Sequence, residues 1–370
     1  MVDGIGSLNS ICRFWPLVVI SCVSGAVATV VCRKIAIKLG IVDRPDGLVK
    51  THTEPTAYLG GIGIFVGFAV GIFAAMLLLR GKWLAGVMCG GAIACLTGVI
   101  DDVAEIRPWQ KVLGQVLAGA ALLLTGIGPN LNYLMKPLGV EMPAAIAGVA
   151  GFVVILIFVL GATNSLNLLD GIDGLCAGVT AVIAFGMLGL AVLLGEQVPN
   201  YYGGSICAIV AVVLLGSVCG FLPFNWNPAK IFMGDAGSLF LGVAIASMMV
   251  MFLGAGVVWG VASIVIFGLP ILDTTVAFAR RGINNRPLFV SDRGHIYDQM
   301  MDRGLSLKKT VKLCYGISGA YALAGIVISQ MSVKYALAAA VGVFVISGVV
   351  VWQKGFLKMT GLRGAVSNKD

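Results

Sequence analysis

Charge is scarce in this chain: Asp, Glu, Lys and Arg together make up 11% of its 370 residues, too few for an ordinary soluble domain of that length or for a disordered chain. Zinc-type cysteine and histidine spacing is missing as well. The nine cysteines include no Cys-x-x-Cys pair and no Cys/His cluster, and most fall inside apolar runs, so neither zinc nor a disulfide framework is indicated. Residues 1–13 carry Asp3 and no basic run, which makes a poor signal peptide and predicts that the first apolar segment is kept as an anchor. No repeat period, low-complexity tract or long linker stands out, so the chain reads as one domain over 1–370. The net charge of +8 comes without a basic soluble module, which excludes a nucleic-acid footprint and leaves lipid headgroups as its explanation.

What fills the chain is apolar. With 59% hydrophobic residues and a mean hydropathy of +0.99, it reads as an all-α integral membrane protein. Runs of about 20 apolar residues predict eleven spans, near 14–39, 58–79, 83–100, 112–127, 143–162, 175–194, 204–221, 237–255, 257–277, 312–330 and 334–352. The fourth is short, and the pair meeting at Gly254 to Gly256 could instead form one kinked helix. If the first span runs outside to inside, 20 of the 25 Lys and Arg fall on the inner face, which makes that face cytoplasmic. The same assignment puts 14 of the 17 acidic residues inside. Acids have little say in topology, so their crowding there calls for chemistry.

The acids come in four clusters, each at the end of an apolar run: VIDD ending at Asp102, NLLDGID ending at Asp173, FMGD ending at Asp235, and ILD ending at Asp273. A carboxylate at a bilayer edge is by default a functional-site hypothesis. Asp101 and Asp102 are adjacent and cannot share a helix face, so one can meet a cation while the other points elsewhere; taken alone, the pair is a solvated helix end. Asn167, Asp170 and Asp173 recur at intervals of three, close to one face of a helical turn, and Gly171 permits close backbone approach. Amide and carboxylate oxygens on one face suit magnesium, a hard ion that keeps some water and takes phosphate oxygens as further ligands. The blander account is an Asx-rich cap. Asn225, Lys230, Phe232 and Asp235 share one loop, combining an amide, a base, an aromatic ring and an acid. The longest inner loop, about 278–311, offers Arg280, Arg281, Arg286, Arg293 and His295 for a diphosphate or sugar, although a positive-inside loop would look similar. Lys50 and His52 stand before the second span, where phosphate attraction and simple solvation serve equally well.

In this order the strings resemble the polyprenyl-phosphate N-acetylhexosamine-1-phosphate transferase family: Lys50, His52 and Pro55 before LGG, VIDD with PWQK, NLLDGIDGL, FNWNPAKIFMGDAGSL, and the DRGH loop. NLLDGIDGL and FNWNPAKIFMGDAGSL are the specific ones. The resemblance implies an eleven-span helical fold with its active site on the cytoplasmic face of a bacterial-type inner membrane. It also implies transfer of a sugar 1-phosphate from a UDP-sugar to a polyprenyl phosphate, with release of UMP. Magnesium is the implied cofactor, with manganese as an alternative, on Asn167 and Asp235. Lys111 would hold phosphate, Asp101 and Asp102 would act on the lipid phosphate, and Asp170 and Asp173 join the catalytic set. Asn225, Phe232, Gly171 and Ile172 would form the uridine pocket, and Lys50, His52, Arg286, Arg293 and His295 would bind substrate. Beyond substrates and membrane, a second copy of the chain is an expected partner. One departure is plain: where the family often has His-x-His-His, this chain has His295, Ile296, Tyr297 and Asp298. That favours a UDP-GlcNAc-like donor over the peptide-linked muramyl nucleotide, whose branch carries three successive histidines. The rival from another class is an ion-coupled secondary transporter, which would place its polar residues near mid-bilayer and show related halves.

Overall fold

The computed structural model describes residues 14–43, 55–79, 82–135, 139–198, 201–287 and 294–358. Each apolar run in them is helical, because in hydrocarbon every backbone N–H and C=O needs an internal partner and a helix supplies one. The helices are α1 (Trp15–Leu39), α2 (Gly60–Leu79), α3 (Lys82–Ala104), α4 (Pro108–Leu124), α5 (Leu131–Met135), α6 (Ala144–Leu169) and α7 (Leu175–Gln197). They continue as α8 (Tyr202–Asn225), α9 (Gly234–Ala255), α10 (Val257–Ile266), α11 (Gly268–Ile283), α12 (Ile296–Asp302), α13 (Leu307–Ile328) and α14 (Val333–Gln353).

Among the described residues nine helices are long and apolar enough to cross a membrane, or ten if α10 and α11 form one broken span. The expectation of eleven differs at two places. Helix α4 has 17 residues, about 25 Å at 1.5 Å per residue, which is short for a hydrocarbon core of about 30 Å. The ninth run breaks by 69° between α10 and α11. Pro270 explains the break, because it has no N–H to give the Ile266 carbonyl four residues back and its ring crowds that turn. At Gly256, by contrast, φ is 149°, and the chain ends α9 there and starts α10; the single kinked helix does not form.

The helices are layered by burial. In α9, 94% of the spanning window is buried, against 28% for α1 and 17% for α6 and α14, so α9 is the central post and those three lie at the periphery. Two glycines let other backbones press on its first turn. A Cβ on Gly61 of α2 would lie 2.0 Å from the Gly237 nitrogen, and one on Gly98 of α3 would lie 2.3 Å from the Ala236 nitrogen. Nothing larger fits between these helices. A two-residue antiparallel pair, β1 (Val42–Asp43) with β2 (Thr56–Ala57), sits beside this end of the bundle. It is tied to the loop before α9 by the Phe232 amide, which donates to the Ala57 carbonyl at 2.8 Å.

Candidate active site

One end of the bundle gathers the polar ends of four helices. Asp101 lies in the last turn of α3, Lys111 in the first turn of α4, Asn167 in the last turn of α6, and Asp235 in the first turn of α9. Pro108 opens α4, and the Gln110 side chain accepts from the Arg107 amide at 2.9 Å, so Lys111 leaves the helix at a fixed point. Its ammonium lies 3.1 Å from Asp101 Oδ2, donates to Asn167 Oδ1 at 3.3 Å, and is in direct contact with Asp235 Oδ2. Asn167 turns its amide to Asp235 Oδ1 at 2.6 Å and to Ser238 Oγ at 3.1 Å. Three oxygens from three helices therefore converge on one cationic centre. Among the described residues no three His, Cys, Asp or Glu side chains form a metal cage; two carboxylates and one amide do converge. That is a hard-oxygen set fit for magnesium, with a lysine ammonium at its focus as a stand-in cation.

The adjacent carboxylate does different work. Asp102 accepts from the amides of Asp235 at 2.8 Å and Ala236 at 3.1 Å, satisfying N–H groups that the start of α9 leaves without a helical partner. Its oxygens point at the helix end, while Oδ2 of Asp101 faces Lys111. Gly234 is required beside it, with φ 69° and a would-be Cβ 2.5 Å from the Asp102 carboxylate.

Asp170 and Asp173 lie in the turn between α6 and α7. Asp170 is set among Asp235, Asp102 and Asp173. Burial first, and then those negative charges, push its carboxyl well above the usual range, with the Gly234 amide pulling the other way. Asp173 accepts from the Asn227 side chain at 2.9 Å and the Ala229 amide at 3.0 Å, which ties this turn to the loop before α9. Asn225 makes the second tie: its carbonyl accepts from the Gly174 amide at 3.0 Å and its amide donates to the Ile231 carbonyl at 3.0 Å. At 3% exposed, it braces the two loops. Ile172 is buried and Gly171 exposed, while the Phe232 ring meets Tyr58 edge-on at 5.9 Å.

The fourth acidic cluster contributes Asp273 of α11. It accepts from the Ile296 amide at 2.7 Å and pairs with His295 Nδ1 at 2.7 Å. His295 is thus buried and committed on Nδ1. Burial opposes its charged form, but the hydrogen bond and charge of Asp273 outweigh it and hold the imidazole above its ordinary 6.5. A raised histidine adds stability that is fully present below the unfolded value and lost as pH rises through the folded one. Thermal unfolding in detergent should therefore show a loss of stability as pH climbs above about 6.5, and His295→Gln should flatten that slope. An unaltered slope would assign it to other groups. Arg286 is exposed just beyond α11 and joins none of these clusters, and Lys50, His52 and Arg293 lie outside the described residues. Sequence reasoning missed Asn227, Ser238 and the hydroxyl of Tyr297; Ser238, one turn beyond Asp235 on α9, was the most readable.

The bundle and its polar end define a polytopic membrane protein with a charged cluster at the rim of its innermost helix. A family model described as glycosyl transferase family 4 matches residues 84–253, the stretch that carries Asp101, Lys111, Asn167 and Asp235. Over 346 residues the chain is 30% identical to a Bacillus subtilis protein named as a probable undecaprenyl-phosphate N-acetylglucosaminyl 1-phosphate transferase, covering 93% of this chain and 91% of the relative. It is 28% identical to a decaprenyl-phosphate N-acetylglucosaminephosphotransferase of Mycobacterium tuberculosis, with 86% and 83% covered. A phospho-N-acetylmuramoyl-pentapeptide-transferase of Bacillus mycoides is 32% identical over a shorter stretch, 58% of this chain and 67% of that one. The chain belongs to glycosyl transferase family 4.

Proposed function

We propose that the protein transfers a sugar 1-phosphate, GlcNAc 1-phosphate foremost, from a UDP-sugar to a polyprenyl phosphate and so starts a lipid-linked cell-envelope glycan. A lipid-phosphate oxygen attacks the sugar-bearing phosphorus, the bond to the uridylyl phosphate breaks, and UMP leaves. Two anions must meet, so the site has to neutralise charge and align the nucleophile. The observation that carries this reading is the convergence of Asp101, Lys111, Asn167 and Asp235, within a chain matched nearly end to end by a polyprenyl-phosphate sugar-phosphate transferase.

Asp235 and Asn167, with Asp101 beside them, are the residues that would hold magnesium, which when bound supplies charge neutralisation on the phosphate oxygens. Lys111 has the reach to take a phosphate once its ammonium leaves the carboxylates. Asp102 and the Asp173 and Asn225 ties hold the start of α9 and the 170–174 turn in register. The excess of Lys and Arg on this side supports a cytoplasmic face. A carrier is disfavoured because the acids gather at one end of the bundle rather than at its middle.

Purified protein incubated with polyprenyl phosphate and a panel of UDP-sugars should release UMP with UDP-GlcNAc. Release only with the UDP-muramyl pentapeptide would move the chain to the other branch represented among its relatives. No release with any donor would remove the transferase reading.

A further inference from the structure

Tyr297 stands where the family often carries a histidine, and three contacts give it a place of its own. Its ring stacks on His295, with centroids 5.4 Å apart and planes 6° from parallel. Its hydroxyl donates to the Leu168 carbonyl at 3.1 Å, across from α12 to the last turn of α6. A Cβ placed on Gly171 would lie 2.0 Å from that hydroxyl, so the phenol rests directly on the turn that carries Asp170 and Asp173. The tyrosine is 4% exposed. The linkage runs from Asp273 through His295 and Tyr297 to Leu168, and it joins α11 to the end of the helix that presents Asn167.

We infer that Tyr297 is a positioning residue for the proposed reaction: its hydroxyl clamps the Leu168–Asp173 turn and thereby sets the Asn167 side chain and the two turn carboxylates. The clamp needs both partners, a phenol on one side and a glycine on the other. An imidazole has no group as far from its backbone as the phenol oxygen, so a histidine here would leave the Leu168 carbonyl without this donor. Leu168 and Gly171 sit on the proposed donor side of the site, and the inference rests on the transferase reading for its effect on turnover.

The test pairs Tyr297→Phe with Gly171→Ala. Loss of a single neutral hydrogen bond predicts a fall in kcat of roughly 3- to 15-fold for Tyr297→Phe, with the lipid KM unmoved. Gly171→Ala should cost more than that in the parent and less in the phenylalanine background, because the hydroxyl that its methyl strikes first is gone and only the ring carbons at 2.7 and 2.9 Å remain in its way. Hydrogen exchange over residues 168–175 gives a readout independent of turnover: Tyr297→Phe should speed exchange there and leave α9 unchanged. Faster exchange in a protein whose parent releases no UMP would keep the clamp and discard the transferase reading. Unchanged exchange, costs of the two substitutions that simply multiply, or a kcat within twofold of the parent in an active protein would overturn the clamp.

Discussion

Asp235→Asn should lower turnover on the order of a hundredfold or more. The substitution keeps the shape of the side chain and removes a charged oxygen from the point where Lys111 and Asn167 converge. Folding should survive, since the backbone here is held by Asp102 on the Asp235 and Ala236 amides and by the close approach of Gly61 and Gly98. The measurement is UMP release at limiting magnesium, with thermal unfolding run alongside. Turnover close to that of the parent would end the case for Asp235 as a metal ligand.

Lys111→Met should separate two properties that normally move together. Turnover should fall on the order of a hundredfold, because a cation that can meet the phosphates is gone. Magnesium, however, should bind more tightly. The ammonium occupies the focus of Asp101, Asn167 and Asp235, so in the parent a divalent ion has to displace it, while in the variant that competitor is absent. Stabilisation of thermal unfolding by magnesium reads this directly, through the mass-action shift of a ligand that binds the folded state. The half-maximal magnesium concentration should drop severalfold. If it stays where it was, the ammonium and the metal do not share a seat.

Part of this site was legible before any coordinates. Asp101, Lys111, Asn167 and Asp235 each stand at the end of an apolar run, and alternating spans force such ends together. Their residue types are those that a phosphate and a hard cation demand. The partners of Asp102 and Asn225 were not legible, because each reaches backbone groups far away in the chain: Asp102 meets amides 133 and 134 residues on, and Asn225 meets Gly174, 51 residues back. No local pattern announces that an acid caps a distant helix. Pro270 did signal the break between α10 and α11, but the apolar run around it masked the signal. The strands β1 and β2, of two residues each, are too short to leave a periodicity. Tyr297 looked like a lost histidine until its hydroxyl was seen against Gly171.

The burial of α9 bears on how the protein is made. With a mean hydropathy of 2.1 over its span, α9 is apolar enough to enter lipid unaided, yet in the finished bundle hardly any of it meets lipid. Its apolarity therefore serves the moment of insertion, before neighbours enclose it. Synthesis proceeds from the N-terminus, so α2, α3, α4 and α6 are already in place when α9 emerges, with Asp101, Lys111 and Asn167 waiting at their ends. Docking of α9 then delivers Asp235 and, in the same motion, the two amides that engage Asp102. Completion of the Asp101, Lys111, Asn167 and Asp235 cluster is thus a late event in biogenesis, and a nascent chain that stops short of Gly234 lacks both Asp235 and the amides that engage Asp102.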